Sequence, residues 1–98
     1  MKSRKVFRNK CINTILFDFI DQYTSGDEYD GTRPSSEVFW DIADRAYDGC
    51  SNYADEEGDW WTMEDCRVYE QWYESSSTET IVARVRRIYM ESFLQYEG

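Results

Sequence analysis

Apolar residues recur at helical spacing along most of this chain, and that spacing leaves little room for a sheet. In the first run Val6, Phe7, Cys11, Ile12, Ile15, Leu16, Phe19, Ile20 and Tyr23 fall at i, i+3, i+4, i+7 and i+8, one face of a helix. The spacing predicts a helix over 5–24, closed by Ser25-Gly26, because glycine serves at helix C-termini. VFRNKCINTILFDF also admits a strand, since short apolar runs are ambiguous. Residues 25–34 hold two glycines, the only proline and Asp27, Glu28 and Asp30, and read as a loop.

A second helix is predicted over 35–54. Pro34 suits its start, Ser35 or Ser36 its cap, and Glu37 the positive end of its dipole. Its apolar side is Val38, Phe39, Ile42, Ala43 and Ala46, extended by Cys50 and Tyr53. Asp48-Gly49 is the weak point and a candidate end, because an interior glycine costs ~1 kcal/mol relative to alanine. DEEGDWW at 55–61 breaks the pattern. Thr62-Met63-Glu64-Asp65 reads as a capping box opening a helix over 63–74, with Met63, Cys66, Tyr69 and Tyr73 on one side. Ser76-Ser77-Thr78-Glu79 reads as another, before a helix over 78–96. That last helix carries Ile81, Val82, Val85, Ile88, Tyr89, Phe93 and Tyr96 inward, and Arg84, Arg86 and Arg87 on an exposed face. The expectation is an all-α fold, one compact domain over 1–98 of about four unequal helices, with 1–10 a basic, frayed start.

Ninety-eight residues suffice for one domain with a modest core. A charged fraction of 32% could signal disorder, but 17% aromatic residues argue for a folded chain. Cys11, Cys50 and Cys66 are odd in number and lack C-x-x-C spacing, so free thiols in a reducing compartment are expected, with an intermolecular disulfide the alternative. The basic start leads into CINTILF, which is short, meets Asp18 and has no cleavage site after it. Neither a secretory signal nor a membrane span is predicted, and the expected location is the cytoplasm of a host cell.

Charge is distributed unevenly. Residues 18–74 carry seventeen acids against Arg33, Arg45 and Arg67, whereas the first 17 residues carry Lys2, Arg4, Lys5, Arg8 and Lys10 and no acid. Such asymmetry concerns partners rather than fold. Glu37, Asp41, Asp44 and Asp48 step by four, three and four residues, which places four carboxylates on one helix face. At ~1.5 Å rise per residue they recur roughly every 5 Å, against about 3.4 Å per phosphate along one DNA strand. Glu70 and Glu74, with Asp55, Glu56, Glu57 and Asp59 in the turn, supply a second line. The plain alternative is a solvated acidic face. Like charges at this spacing work against the helix, so a purely structural face would mix in lysine.

Tyr47, Tyr53, Trp60, Trp61, Trp72 and Tyr73 lie within this acidic stretch. Most are expected in the core. Trp60 and Trp61 cannot both turn inward, so one is a candidate interface anchor. The basic start is read as a frayed terminus or an intramolecular partner of the acids, rather than as a phosphate or membrane contact.

The chain has no histidine, which removes most catalytic triads, most zinc sites and the usual general base. It has no glycine-rich phosphate loop. DEYDG at 27–31 resembles the start of a calcium loop, but the ligand alternation and distal glutamate of an EF-hand do not follow. No metal, cofactor or enzymatic activity is expected.

The 37/41/44/48 row, the DEEGDWW turn and Glu70/Glu74 give the chain a pattern that resembles the small acidic DNA-mimic inhibitors of phages and mobile elements, the anti-restriction and anti-CRISPR class. The resemblance covers the acidic middle and transfers no residue role. It implies a stoichiometric inhibitor occupying the groove of a basic nucleic-acid-binding protein, such as a nuclease, CRISPR effector, restriction or repair enzyme. It implies no direct contact with nucleic acid or membrane. The partner-binding residues are then Glu37, Asp41, Asp44, Asp48, Asp55, Glu56, Glu57, Asp59, Trp60, Trp61, Glu70 and Glu74. The alternative is a small adaptor or antitoxin-like module that binds through aromatic and apolar surface.

Overall fold

The computed structural model describes residues 4–27, 29–52 and 62–93. These form four helices and no strand: α1 (Arg4–Thr24), α2 (Ser36–Ser51), α3 (Met63–Ser75) and α4 (Thr78–Ser92). The strand alternative for the first run is excluded, because residues 4–24 are one continuous helix. No described helix is long and apolar enough to cross a membrane.

Local chemistry sets the helix ends. The α1 chain closes where the Gly26 amide donates to the Tyr23 carbonyl at 3.2 Å. Ser35, rather than Ser36, caps α2 by accepting from the Val38 amide. Thr62 and Asp65 form the reciprocal capping box of α3. The α4 cap is Ser77, which accepts from the Thr80 amide, so the Ser76–Glu79 box of the sequence reading is displaced by one residue. Two helices are shorter than their apolar spacing implied: α2 ends at Ser51, not 54, and α4 at Ser92, not 96. Tyr53 and Tyr96 lie outside the described residues.

Both α1 and α2 pack against every other helix, whereas α3 and α4 barely meet. The cross-section is therefore a rhombus with α1–α2 as its short diagonal, and the α2/α3 edge lies opposite the α1/α4 edge. Ile12, Ile15, Leu16 and Ile20 of α1, Phe39 and Ile42 of α2, Cys66, Tyr69 and Trp72 of α3, and Ile81, Val85, Ile88 and Tyr89 of α4 form the core. Each large apolar side chain withdrawn from water contributes about 1.5–3 kcal/mol. Val6 and Phe7, which share the apolar spacing of α1, are exposed, as is Met63 at the start of α3. They sit in first turns, where periodicity continues past the packed part of the bundle.

The two fully buried phenols are satisfied. Tyr69 donates to the Ala43 carbonyl at 2.7 Å, and the Tyr89 hydroxyl pairs with that of Tyr29 at 2.6 Å, tying the 25–35 loop to the core. In that loop Asp30 accepts from the Thr32 amide and hydroxyl, and Gly31 has φ +90°. The DEYDG segment thus spends Asp30 on its own turn.

Gly49 does not end α2. A Cβ there would lie 2.9 Å from Cζ of Phe19, so the missing side chain is what lets α1 and α2 approach. All three cysteines are buried and free. Burial and then the Asp65 carboxylate push the Cys11 thiol up to about 12, and burial raises Cys50 further.

Two outcomes follow from this packing. Gly49→Ala should destabilise the protein by about 1 kcal/mol, since overpacking of ~1–3 kcal/mol exceeds the ~1 kcal/mol gain in helix propensity. In a Phe19→Leu background, which removes Cζ, the same change should stabilise; denaturant unfolding of the four proteins checks the reversal. A thiol-reactive chromogenic reagent at neutral pH should label the cysteines quickly only in denaturant, and rapid labelling of the folded protein would contradict their burial.

Candidate functional site

The α2/α3 edge gathers acids and rings. Phe39, Ile42, Ala43, Ala46 and Cys50 turn inward, so the helical period puts Glu37, Asp41, Asp44 and Asp48 on the outside, and all four are exposed. Trp40 and Tyr47, seven residues apart, stand two turns from each other on the flank toward α3. Tyr73 of α3 enters between them. Its ring centre lies 5.5 Å from Trp40 and 4.4 Å from Tyr47, with planes inclined by 29° and 17°. The result is a half-buried three-ring stack along the seam of the two helices.

The hydroxyls of that stack hold carboxylates of the opposite helix. Tyr73 of α3 donates to Asp44 Oδ1 of α2 at 3.0 Å, and Tyr47 of α2 donates to the Glu74 carboxylate of α3. Ser51 donates to Glu70 at 3.4 Å. These neutral donors fix the acids without neutralising them. The phenols register the arrangement. Tyr73 is pushed up to about 12, by burial first and then by Asp44; Tyr47 is raised chiefly by its hydrogen bond to Glu74.

The predicted row is divided by the packing. Asp44 leans to α3, whereas Asp41 pairs with Arg45 at 3.0 Å and lines a shallow hollow with Phe19, Gln22, Tyr23 and Ile42 on the α1 side. Glu37 and Asp48 are exposed, and Asn52 bonds the carbonyl of Asp48 rather than its carboxylate. Asp55, Glu56, Glu57, Asp59, Trp60 and Trp61 lie outside the described residues. Trp72 is core, as expected of most rings. The sequence reading missed Trp40 as a site residue and placed Tyr47 and Tyr73 only in a general aromatic set. The available signal was the seven-residue spacing of Trp40 and Tyr47 beside the acid row. Among the described residues no group of three acidic or thiol side chains is disposed to hold a metal ion.

Charge is sorted by edge. Each of α2 and α3 carries four acids and one arginine. The balance reverses on the other two helices, where α1 carries Arg4, Lys5, Arg8 and Lys10 against Asp18 and Asp21, and α4 carries Arg84, Arg86 and Arg87 against Glu79 and Glu91. Comparison with protein-family models, with curated proteins and with solved structures gave no match.

The phenols set an alkaline limit. Tyr73 and Tyr89 have folded values raised from 10.0 to about 12. A phenol raised on folding contributes stability that is complete below its unfolded value and is lost as pH rises through its folded value. Thermal melting should therefore be insensitive to these groups below pH 10 and should fall steeply from there toward pH 12. Near-ultraviolet absorbance should show two classes of tyrosine, the late class ionising together with unfolding.

Proposed function

We propose that this protein is an acidic DNA-mimic inhibitor whose α2/α3 edge occupies the nucleic-acid groove of a defence or DNA-processing protein. The observation that carries this reading is the pair of carboxylate rows, Asp44 and Asp48 on α2 and Glu70 and Glu74 on α3, flanking a rigid aromatic seam. Asp44, Glu70 and Glu74 are held by hydroxyl donors rather than by cations, so they lose little freedom on binding. Arg45, the only cation of α2, is engaged with Asp41 instead. Adjacent packed helices lie ~8–10 Å apart, so the rows present anionic groups on two roughly parallel lines, as a duplex does. Exposed edges of the Trp40–Tyr73–Tyr47 stack offer surface against which arginine side chains of a basic groove can lie.

The same stack favours a second reading, an adaptor anchored by aromatic contact with charge serving solubility. Salt separates the two, because affinity resting on charge falls steeply as ionic strength rises and aromatic anchoring does not.

The direct experiment is displacement of duplex DNA from purified restriction enzymes, CRISPR effectors and repair nucleases. The inhibitor should act stoichiometrically on at least one and be reversed by excess DNA. Reversing Asp44, Asp48 and Glu74 to lysine should weaken that binding at least ~1,000-fold, since each charge-assisted hydrogen bond is worth ~1.5–3 kcal/mol. Reversing Asp21, Asp27 and Glu91, off this edge, changes net charge equally and should leave most of the affinity. Equal losses from the two triples would reject the placement, and failure to displace DNA from any of these enzymes would reject mimicry.

A further inference from the structure

Arg84 stands at the α1/α4 edge, and every group that holds it is neutral. Its Nε donates to Asn13 Oδ1 at 3.0 Å and its Nη2 to Asn9 Oδ1 at 3.1 Å. Its guanidinium carbon lies 5.3 Å from the ring centre of Trp72. The sequence reading placed Arg84 on an exposed face; it is half-buried, because Trp72 and the two asparagines draw it in. In a chain with 20 acids and 11 lysines and arginines, carboxylates were plentiful as partners, yet among the described residues none is used here.

Two more cations act on it, Arg87 from the same helix face and Arg8 from α1. Burial first, then Arg87 and Arg8, lower the pKa of Arg84 from its ordinary value. Among the described residues neither Arg8 nor Arg87 pairs with a carboxylate. Thr80, Ala83, Arg84 and Arg87 line one open hollow, at the i, i+3, i+4, i+7 positions of a single helix face. Thr80 Oγ1 accepts from Ser77 and keeps its own hydrogen to donate. Two guanidinium groups thus share one hollow, a third acts on it from α1, and among the described residues no carboxylate pairs with any of them, while Arg84 is held in place.

We propose that the α1/α4 edge is a binding site for a phosphate group, taken by Arg8, Arg84 and Arg87 with the Thr80 hydroxyl. Guanidinium forks match phosphate oxygens in geometry, and a group carrying more than one negative charge suits several cations gathered at one place. Neutral props leave that charge for the ligand, whereas a carboxylate prop would compete with it. Trp72 is buried beneath Arg84, and among the described residues no other ring lines the hollow, so recognition rests on the phosphate itself. The acidic edge of a second copy fits less well. Its carboxylates are singly charged and spread ~5–6 Å apart along a helix axis.

Inorganic phosphate, titrated calorimetrically and by arginine Nε resonances at constant ionic strength, tests this. Saturable one-to-one binding that shifts the Arg84 resonance is expected, with chloride at equal ionic strength giving no such shift. Arg8→Gln and Arg87→Gln, both at exposed positions, should each weaken phosphate about tenfold, a loss of about 1.4 kcal/mol, without altering the melting temperature measured in its absence. Competition by a nucleoside triphosphate and by a single-stranded oligonucleotide then identifies the source, the tighter competitor being the natural form. Absence of saturation, an equal response to chloride, or unchanged binding in the Arg8/Arg87 double variant would overturn the site. Self-association that the double variant abolishes and phosphate does not touch would overturn it in favour of a second copy.

Discussion

The fold depends on how closely α2 can be approached. Ala43, Ala46 and Gly49 step by three residues along it and present almost no side chain. Gly49 leaves room for the Phe19 ring of α1, and the Ala43 carbonyl is open to the Tyr69 hydroxyl of α3. Because α1 meets α2 along the short diagonal of the bundle and α3 and α4 meet it across the adjoining edges, its remaining face must point outward. That face is the acid row. The same close approach of α3 brings Tyr73 between Trp40 and Tyr47 and so creates the aromatic seam.

A second regularity concerns how charge is held. Asp44, Glu74 and Glu70 are positioned by two tyrosines and a serine, and Arg84 by two asparagines and a tryptophan face. The acidic excess lies on the α2/α3 edge and the cationic excess on the α1/α4 edge, and these particular groups are fixed by neutral partners. An ion pair on the surface adds little stability, ~0–1 kcal/mol, and cancels the local field of both members. Neutral hydrogen bonds give comparable positioning and leave the field intact. Binding surfaces on both edges would depend on that difference, which connects the proposed inhibitor face with the proposed phosphate site. The net charge of −9 is therefore not spread as a uniform surface over the four helices.

Much of the fold was legible as sequence because its signals are local. Apolar period, Ser35, the Thr62–Asp65 box and the Ser25-Gly26 stop each act within a few residues, and the helices begin and end near them. The misreadings also have local causes. Apolar period does not report where a neighbouring helix stops, so Val6, Phe7 and Met63 were assigned to faces that are exposed. Gly49 read as a helix breaker because propensity reports an isolated helix, and its space is occupied by a residue thirty positions earlier in the chain. Site residues were half legible. Their outward direction on α2 followed from helical geometry, whereas the division of Asp41 from Asp44, and the role of Trp40, did not.

By itself, then, the sequence determined the helical class, the approximate limits of four helices and the presence of an acid row on the second, since these rest on interactions within one or two turns. Only the tertiary structure decided which helices are neighbours. That arrangement set Tyr47 against Glu74 and Tyr73 against Asp44, brought Asn9 and Asn13 of α1 against Arg84 of α4, and placed the two charged edges on opposite sides. The physical reason is that side-chain pairing across 27 to 75 residues of chain depends on how faces of different helices meet. Spacing within one helix carries no information about its partner.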